Sequence, residues 1–170
     1  EYITGKEPSR WLEDNAGLLA QSGKALDIAG GEGRNSVFVA SKGYEVTCLD
    51  ISENGLRKAQ ALAQEKNAKI TTVLADLESN SLKESEYDLI LCFNFLERSL
   101  FAGIHQALKP GGLLFYETFT VDYLKYSSFK KEWVLEANEL LQTFSDLRIL
   151  RYQEVDEPPK AFASLVAQKP

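Results

Sequence analysis

The chain has 170 residues with a hydrophobic fraction of 44% and a charged fraction of 26%, the proportions of a domain that buries roughly two-thirds of its unfolded surface. Its formal net charge of −6 comes without a basic cluster, which argues against a nucleic-acid partner, and no apolar run approaches the ~20 residues of a membrane span. Cys48 and Cys92 sit in aliphatic runs and not at metal-ligand spacing, so they read as reduced core thiols with no metal site, and the expected compartment is the cytoplasm.

The first predicted element is a helix over 8–20, capped by Ser9, with Trp11, Leu12, Ala16 and Leu19 on one face. A strand over 25–29 runs into Gly30-Gly31-Glu32-Gly33, and a short helix over 34–41 closes on Gly43. A second strand over 44–49 ends at Asp50. Ser52 caps a helix reaching about residue 64, whose buried stripe is Leu56, Ala59, Leu62 and Ala63, and a third strand over 69–74 ends near Asp76.

The almost continuously apolar 87–93 (YDLILCF) is the pattern of a strand covered on both faces of a parallel sheet. A helix over 96–108, the break Lys109-Pro110-Gly111-Gly112 and a fifth strand over 113–118 follow. A loop over 119–134, rich in aromatics and lysines, leads to a helix over 136–144. The last two strands, 147–155 and 161–168, are too close for a crossover helix and form an antiparallel hairpin. The expected architecture is α/β, a doubly wound, Rossmann-like, mostly parallel seven-stranded sheet with a C-terminal antiparallel hairpin. It forms a single domain over 1–170, with an N-terminal arm over 1–24 that could act as a lid and a core over 25–170.

In a doubly wound sheet a ligand binds beyond the carboxyl ends of the strands, and the first strand-to-helix turn passes against it. Gly30, Gly31 and Gly33 remove the β-carbons that would block a nucleoside or amino-acid moiety; an ordinary tight turn is the other reading. Asp50 ends the second strand, where a carboxylate can accept both hydrogens of a ribose diol, or alternatively face the start of the next helix. A dinucleotide fingerprint would place a third glycine where this chain has Ser36. The flanking Asp27 and Glu32 suit an ammonium and a sulfonium better than a diphosphate.

ALDIAGGEG, Asp50, Ala75-Asp76-Leu77, Lys109-Pro110-Gly111-Gly112 and the closing hairpin together resemble a class I S-adenosylmethionine-dependent methyltransferase over nearly the whole chain. GEGRNSVFVA, FNFLERSLF and YETFT are similar to the subgroup of tellurite-resistance and thiopurine methyltransferases. One departure is Ala29, where the family often has glycine. The resemblance implies S-adenosylmethionine as cofactor and in-line methyl transfer to a small-molecule acceptor, a thiol or a chalcogen or metalloid compound, with no nucleic acid or membrane involved and the oligomeric state left open.

It also implies roles for particular residues. Ala29, Gly30, Gly31 and Gly33 pack against the methionine moiety, and Arg34 and Asn35 meet its carboxylate, although a helix-start hydrogen bond explains Asn35 equally well. Asp50, with Ile51 beside it, holds the ribose; Asp76 and the Leu77 backbone read the adenine. Asn94 binds the cofactor and Phe95 walls the acceptor pocket, with strand-end packing as the alternative. Arg98 would attract an anionic acceptor, or else contact Glu97 or Glu117, and Glu117 would accept a proton. Tyr2, Trp11, Tyr123 and Tyr126 belong to the arm and the 119–134 loop, where lids and acceptor pockets are built. His105 lies away from the site. A catalytically silent cofactor-binding protein and a nicotinamide-dependent oxidoreductase are the competing readings.

Overall fold

The computed structural model describes residues 1–78 and 81–170. A seven-stranded sheet in the order β3-β2-β1-β4-β5-β7-β6 is built from β1 (Gly23–Ile28), β2 (Tyr44–Asp50), β3 (Ile70–Leu74), β4 (Tyr87–Phe93), β5 (Leu108–Phe119), β6 (Arg148–Glu157) and β7 (Lys160–Gln168). The first five strands run parallel, and β7 is antiparallel to both its neighbours. The expected doubly wound α/β sheet with its closing hairpin is therefore present. Chain order reverses between β1 and β4, the position where such sheets open a crevice.

Two apolar layers cover the sheet. On one face α1 (Arg10–Asp14), α2 (Arg34–Ser41) and α3 (Glu53–Glu65) pack over Val46, Cys48, Leu89, Leu91 and Phe115; on the other, α4 (Phe101–Ala107) and α5 (Glu139–Thr143) pack over Ile28, Ile90, Cys92 and Tyr116. Leu89, Ile90 and Leu91 are all 0% exposed, which is why β4 reads as an unbroken apolar run. The α3 stripe of Leu56, Ala59, Leu62 and Ala63 is buried as its spacing requires.

Several element bounds differ from expectation for local chemical reasons. The first helix stops at Asp14: Asn15 leaves helical geometry and closes the end with both its N–H (3.2 Å) and its side-chain amide (2.9 Å) donating to the Trp11 carbonyl, and only a 3₁₀ turn over Ala16–Leu18 follows. Ser9 is not a side-chain cap: its N–H donates to Asn35 Oδ1 at 2.8 Å and its hydroxyl faces Glu117. The helix expected over 96–108 is a 3₁₀ turn at Arg98–Leu100 and then α4, while Lys109-Pro110-Gly111-Gly112 lies inside β5 as an irregularity in its pairing with β4. The last helix is only α5, entered through Asn138 at φ +61°. The hairpin strands continue through the expected turn until Glu157 faces Lys160. Among the described residues, no helix lies between β3 and β4, and no helix is long and apolar enough to cross a membrane.

Gly33 caps α2 at φ +84°, and a β-carbon there would come within 2.5 Å of Ala59 Cβ on α3. Gly31, at φ +56°, has nothing closer than Asp50 Oδ2 at 4.0 Å. Gly33→Ala is expected to lower the unfolding free energy by about 2–4 kcal/mol in a urea titration, through backbone strain and overpacking together. Gly31→Ala carries only the backbone part, about 1–2 kcal/mol; equal losses would contradict the assigned packing.

Candidate functional site

Because parallel strands end together, the loops that follow β1, β2 and β4 converge at one edge of the sheet. They enclose a cleft of about 310 Å³, and six of the anticipated residues line it: Ala29, Gly30, Gly31, Arg34, Asn35 and Asn94. Ala29 (φ +53°) and Asn94 (φ +56°) hold left-handed backbone at its floor, a conformation that costs a side-chain-bearing residue about 1–2 kcal/mol. The Asn94 N–H donates to the Glu117 carbonyl at 2.8 Å, which fixes the end of β4 against β5.

The three glycines divide by what lies over them. A β-carbon on Gly30 would come within 2.5 Å of Cys48 Sγ and 2.9 Å of Asp27 Oδ2, and one on Gly33 would strike Ala59. Both are glycine for the protein's own packing. Gly31 alone of the three leaves free space on the cleft side, so it is the one whose bareness serves a guest.

Asp50 holds this turn in place. Its Oδ2 accepts the Gly31 N–H at 2.9 Å and its Oδ1 the Ser52 N–H at 2.8 Å, and each oxygen retains a further lone pair for a ligand hydroxyl. Ile51 beside it is 68% exposed. Asp76 accepts the Glu78 N–H at 3.0 Å just past β3, and Leu77 is buried in the core on the α4 and α5 side. Phe95 packs against that same core, with its carbonyl accepting the Tyr116 hydroxyl at 2.9 Å. It does not line the cleft itself, and neither do Gly33, Asp50, Ile51, Asp76, Leu77 or Glu117; Asp50 adjoins it through its bonds to Gly31 and Ser52, which do.

Charge is distributed in a way the residue pattern concealed. Glu32 does not present a free negative charge: Lys58 pairs with it at 2.7 Å, and it also accepts the Ile3 N–H at 2.7 Å. Asp27 is 2% exposed, and burial, opposed by a 2.7 Å hydrogen bond from the Ser36 hydroxyl, pushes its carboxyl up to about 7. Ser36 thus uses its hydroxyl where a dinucleotide turn would need glycine. Arg34 is pulled below its usual range by burial, while Glu117 and Asp27 act against that pull. Glu117 accepts hydrogen bonds from the Ser9 and Ser164 hydroxyls, and burial raises its carboxyl above the ordinary value in spite of them.

Arg98 lies elsewhere. Its guanidinium grips Glu139 at 2.7 and 2.9 Å and donates to the carbonyls of Glu132 (3.0 Å) and Val134 (2.9 Å), and it does not reach the cleft. His105 pairs with Asp146 at 2.7 Å, also remote. Sequence reasoning overlooked Lys58, Asn54 and the arm residues Ile3 and Thr4, all of which line the cleft. The opposite charges of Lys58 and Glu32 were the one available signal; nothing in the pattern of 1–4 marks it.

Residues 25–112 match a family model described as a methyltransferase domain. The chain is 31% identical over 122 residues to a ubiquinone biosynthesis O-methyltransferase of Aromatoleum aromaticum, covering 68% of this chain and 51% of that protein. It is 30% identical over 139 residues to a probable S-adenosyl-L-methionine-dependent methyltransferase, TehB, of Haemophilus influenzae, covering 77% and 48% respectively. The crystal structure of TehB from Haemophilus influenzae superposes with a TM-score of 0.82 at 25% identity, covering 99% of this chain and 64% of that one. The chain spans about half the length of these curated relatives.

The Asp27 carboxyl sets a pH dependence with a definite sign. The folded state keeps its proton up to about pH 7 against an ordinary value of 3.8, so between those limits the folded state binds more protons and stability falls as pH rises. Asp27→Asn removes this slope. Urea midpoints of variant and parent are expected to diverge from pH 4 to pH 8 in the variant's favour, by on the order of 2–4 kcal/mol; parallel profiles would refute the shift.

Proposed function

The chain belongs to the methyltransferase-domain family, and on that premise we propose that it is an S-adenosylmethionine-dependent methyltransferase acting on a small-molecule acceptor. The observation that carries the reading is the placement of the open Gly31 face against the Asp50 carboxylate, at the point where chain order reverses, with Arg34 on the same cleft. When bound, the cofactor supplies a methyl group on a sulfonium, which an acceptor takes up by in-line displacement as the thioether leaves.

The chain's own part is to hold, orient and exclude water. Among the described residues the Arg34 guanidinium has no hydrogen-bond or ion-pair partner, with Glu117 and Asp27 as its electrostatic neighbours, and it would take a ligand carboxylate; Asn35, fixed by Ser9, would bound that end. Asp27 would meet an ammonium, which draws its carboxyl toward the charged form. Asp50 would hold the ribose diol, and Ile51, Asp76 and Leu77 would bracket the adenine beyond the cleft. Ala29, Gly30, Gly31 and Gly33 form the turn beneath the methionine part, Gly31 supplying the clearance and the other two glycines its shape. Asn94 and Phe95 would mark the passage to the acceptor, and Glu117 would take its proton. Arg98 would act at a distance, by fixing the segment that precedes α5. The arm over 1–24 would belong to the same domain and cover the cleft through Ile3 and Thr4. The acceptor would be a thiol, a chalcogen or metalloid compound, or a hydroxyl; the relatives' names do not choose among these.

The test is isothermal titration of the protein with S-adenosylhomocysteine and then NADH, repeated on Asp50→Ala. Micromolar binding of the thioether, no binding of NADH and at least a tenfold loss in the variant, about 1.4 kcal/mol or more, are expected. A urea midpoint on the variant checks that the turn still folds. Binding of NADH, or an unweakened variant that is folded, would overturn the reading.

A further inference from the structure

Past Glu117 the carboxyl end of β5 runs into four aromatic rings in mutual contact. Phe119 and Tyr123 stack at 4.2 Å, Phe129 meets them edge-on at 5.5 and 5.1 Å, and Trp133 meets Phe129 edge-on at 5.9 Å. Core aromatics of this chain such as Phe115, Tyr116 and Phe144 are at most 1% exposed, yet Phe129 is 39% and Trp133 49% exposed. Strand alternation puts the cluster on the cleft's side of the sheet: Phe93, which lines the cleft, is in register with Glu117, and Phe119 is the next residue on that face.

The segment carrying these rings is closed and anchored. The Val121 N–H donates to the Leu135 carbonyl at 2.8 Å and the Leu135 N–H to the Phe119 carbonyl at 2.9 Å, so its two ends meet, and Arg98 holds its returning limb. It also carries three lysines, Lys125, Lys130 and Lys131. Lys125 pairs with Asp122 and Asp156, and Lys131 with Glu136, whereas Lys130 lies over the Trp133 ring at 5.1 Å and has no carboxylate partner among the described residues.

We infer that this cluster is the acceptor platform and that the acceptor is a hydroxylated aromatic carboxylate, its ring against Phe129 and Trp133, its carboxylate toward Lys130 and its hydroxyl toward Glu117. The inference rests on the methyltransferase reading. Glu117 and Phe119 are two apart on one strand face, about 7 Å, so the cluster begins within one ring's length of the Glu117 carboxylate. Exposed aromatic faces and edges favour a planar ring over an inorganic oxyanion, which offers no surface to stack, and a free ammonium beside a ring favours an anionic substituent.

The experiment is calorimetry on the full chain, first with S-adenosylhomocysteine and then, with that site saturated, with 3,4-dihydroxybenzoate, uncharged catechol and selenite in turn. Saturable binding of dihydroxybenzoate, weaker binding of catechol and none of selenite are expected. Trp133→Leu should lower dihydroxybenzoate affinity at least tenfold with thioether affinity unchanged, and Lys130→Gln should remove the preference for the acid over catechol. Failure of the thioether to bind sinks the parent reading. Thioether binding without dihydroxybenzoate binding, or selenite binding in its place, overturns the platform alone. So would a concentration-dependent dimer in sedimentation that Trp133→Leu abolishes, since the rings would then meet a second copy of the chain.

Discussion

A single carboxylate fastens the loops on which the cleft depends. Asp50 accepts backbone N–H groups from both Gly31 and Ser52, while the carbonyls of Leu49 and Asp50 accept from Gly30 and Ala75. Four hydrogen bonds thereby join the chain leaving β1, β2 and β3. Bonds to a charged acceptor contribute about 1.5–3 kcal/mol each. The parallel register of Ile28 with Leu49 and the shape of the cleft above it are thus held by the same contacts, and Gly30 must be bare because Cys48 and Asp27 already fill the space over it.

Around that fixed turn the protein keeps ionisable groups only partly satisfied. Asp27, Arg34 and Glu117 are each shifted by burial toward their neutral forms, and among the described residues the Arg34 guanidinium has no hydrogen-bond partner. Removing charges from water without full compensation is unfavourable, and such arrangements gather where a ligand completes them. Glu32 and Lys58 show the contrast: they neutralise each other at 2.7 Å and tie the arm to the cleft's rim. The field at the turn is therefore set by depth of burial more than by the count of acidic residues there.

The strands and the doubly wound class of the sheet were legible because they follow from periodicity and from the spacing of the elements. The apolar run of β4, the α3 stripe and the two-strand hairpin each express a local pattern that tertiary structure left intact. The position of Asp50 at the end of β2 was legible for the same reason. What could not be read depended on distant partners. Ser9 leaves its capping role for Asn35 and Glu117, 26 and 108 residues away. Arg98 was expected at an acceptor and instead finds Glu139, 41 residues on. The aromatic residues of 119–134 were visible as composition, but their mutual contact arises only when Phe119 and Leu135 close the segment.

The sheet has two unequal margins. β6 spans Arg148–Glu157 and displays Arg148, Arg151, Glu154 and Asp156 along its length, charges that repel a misaligned neighbour. β3, only Ile70–Leu74, leaves Val73 38% and Leu74 58% exposed, and Gln60 occupies its Ile70 carbonyl at 3.2 Å. Any stray strand that tries to extend this molecule, in a crowded solution or from a half-folded copy, meets electrostatic resistance at one border and, among the described residues, brevity and one amide at the other. The direction in which this protein would aggregate is thereby written into its asymmetry.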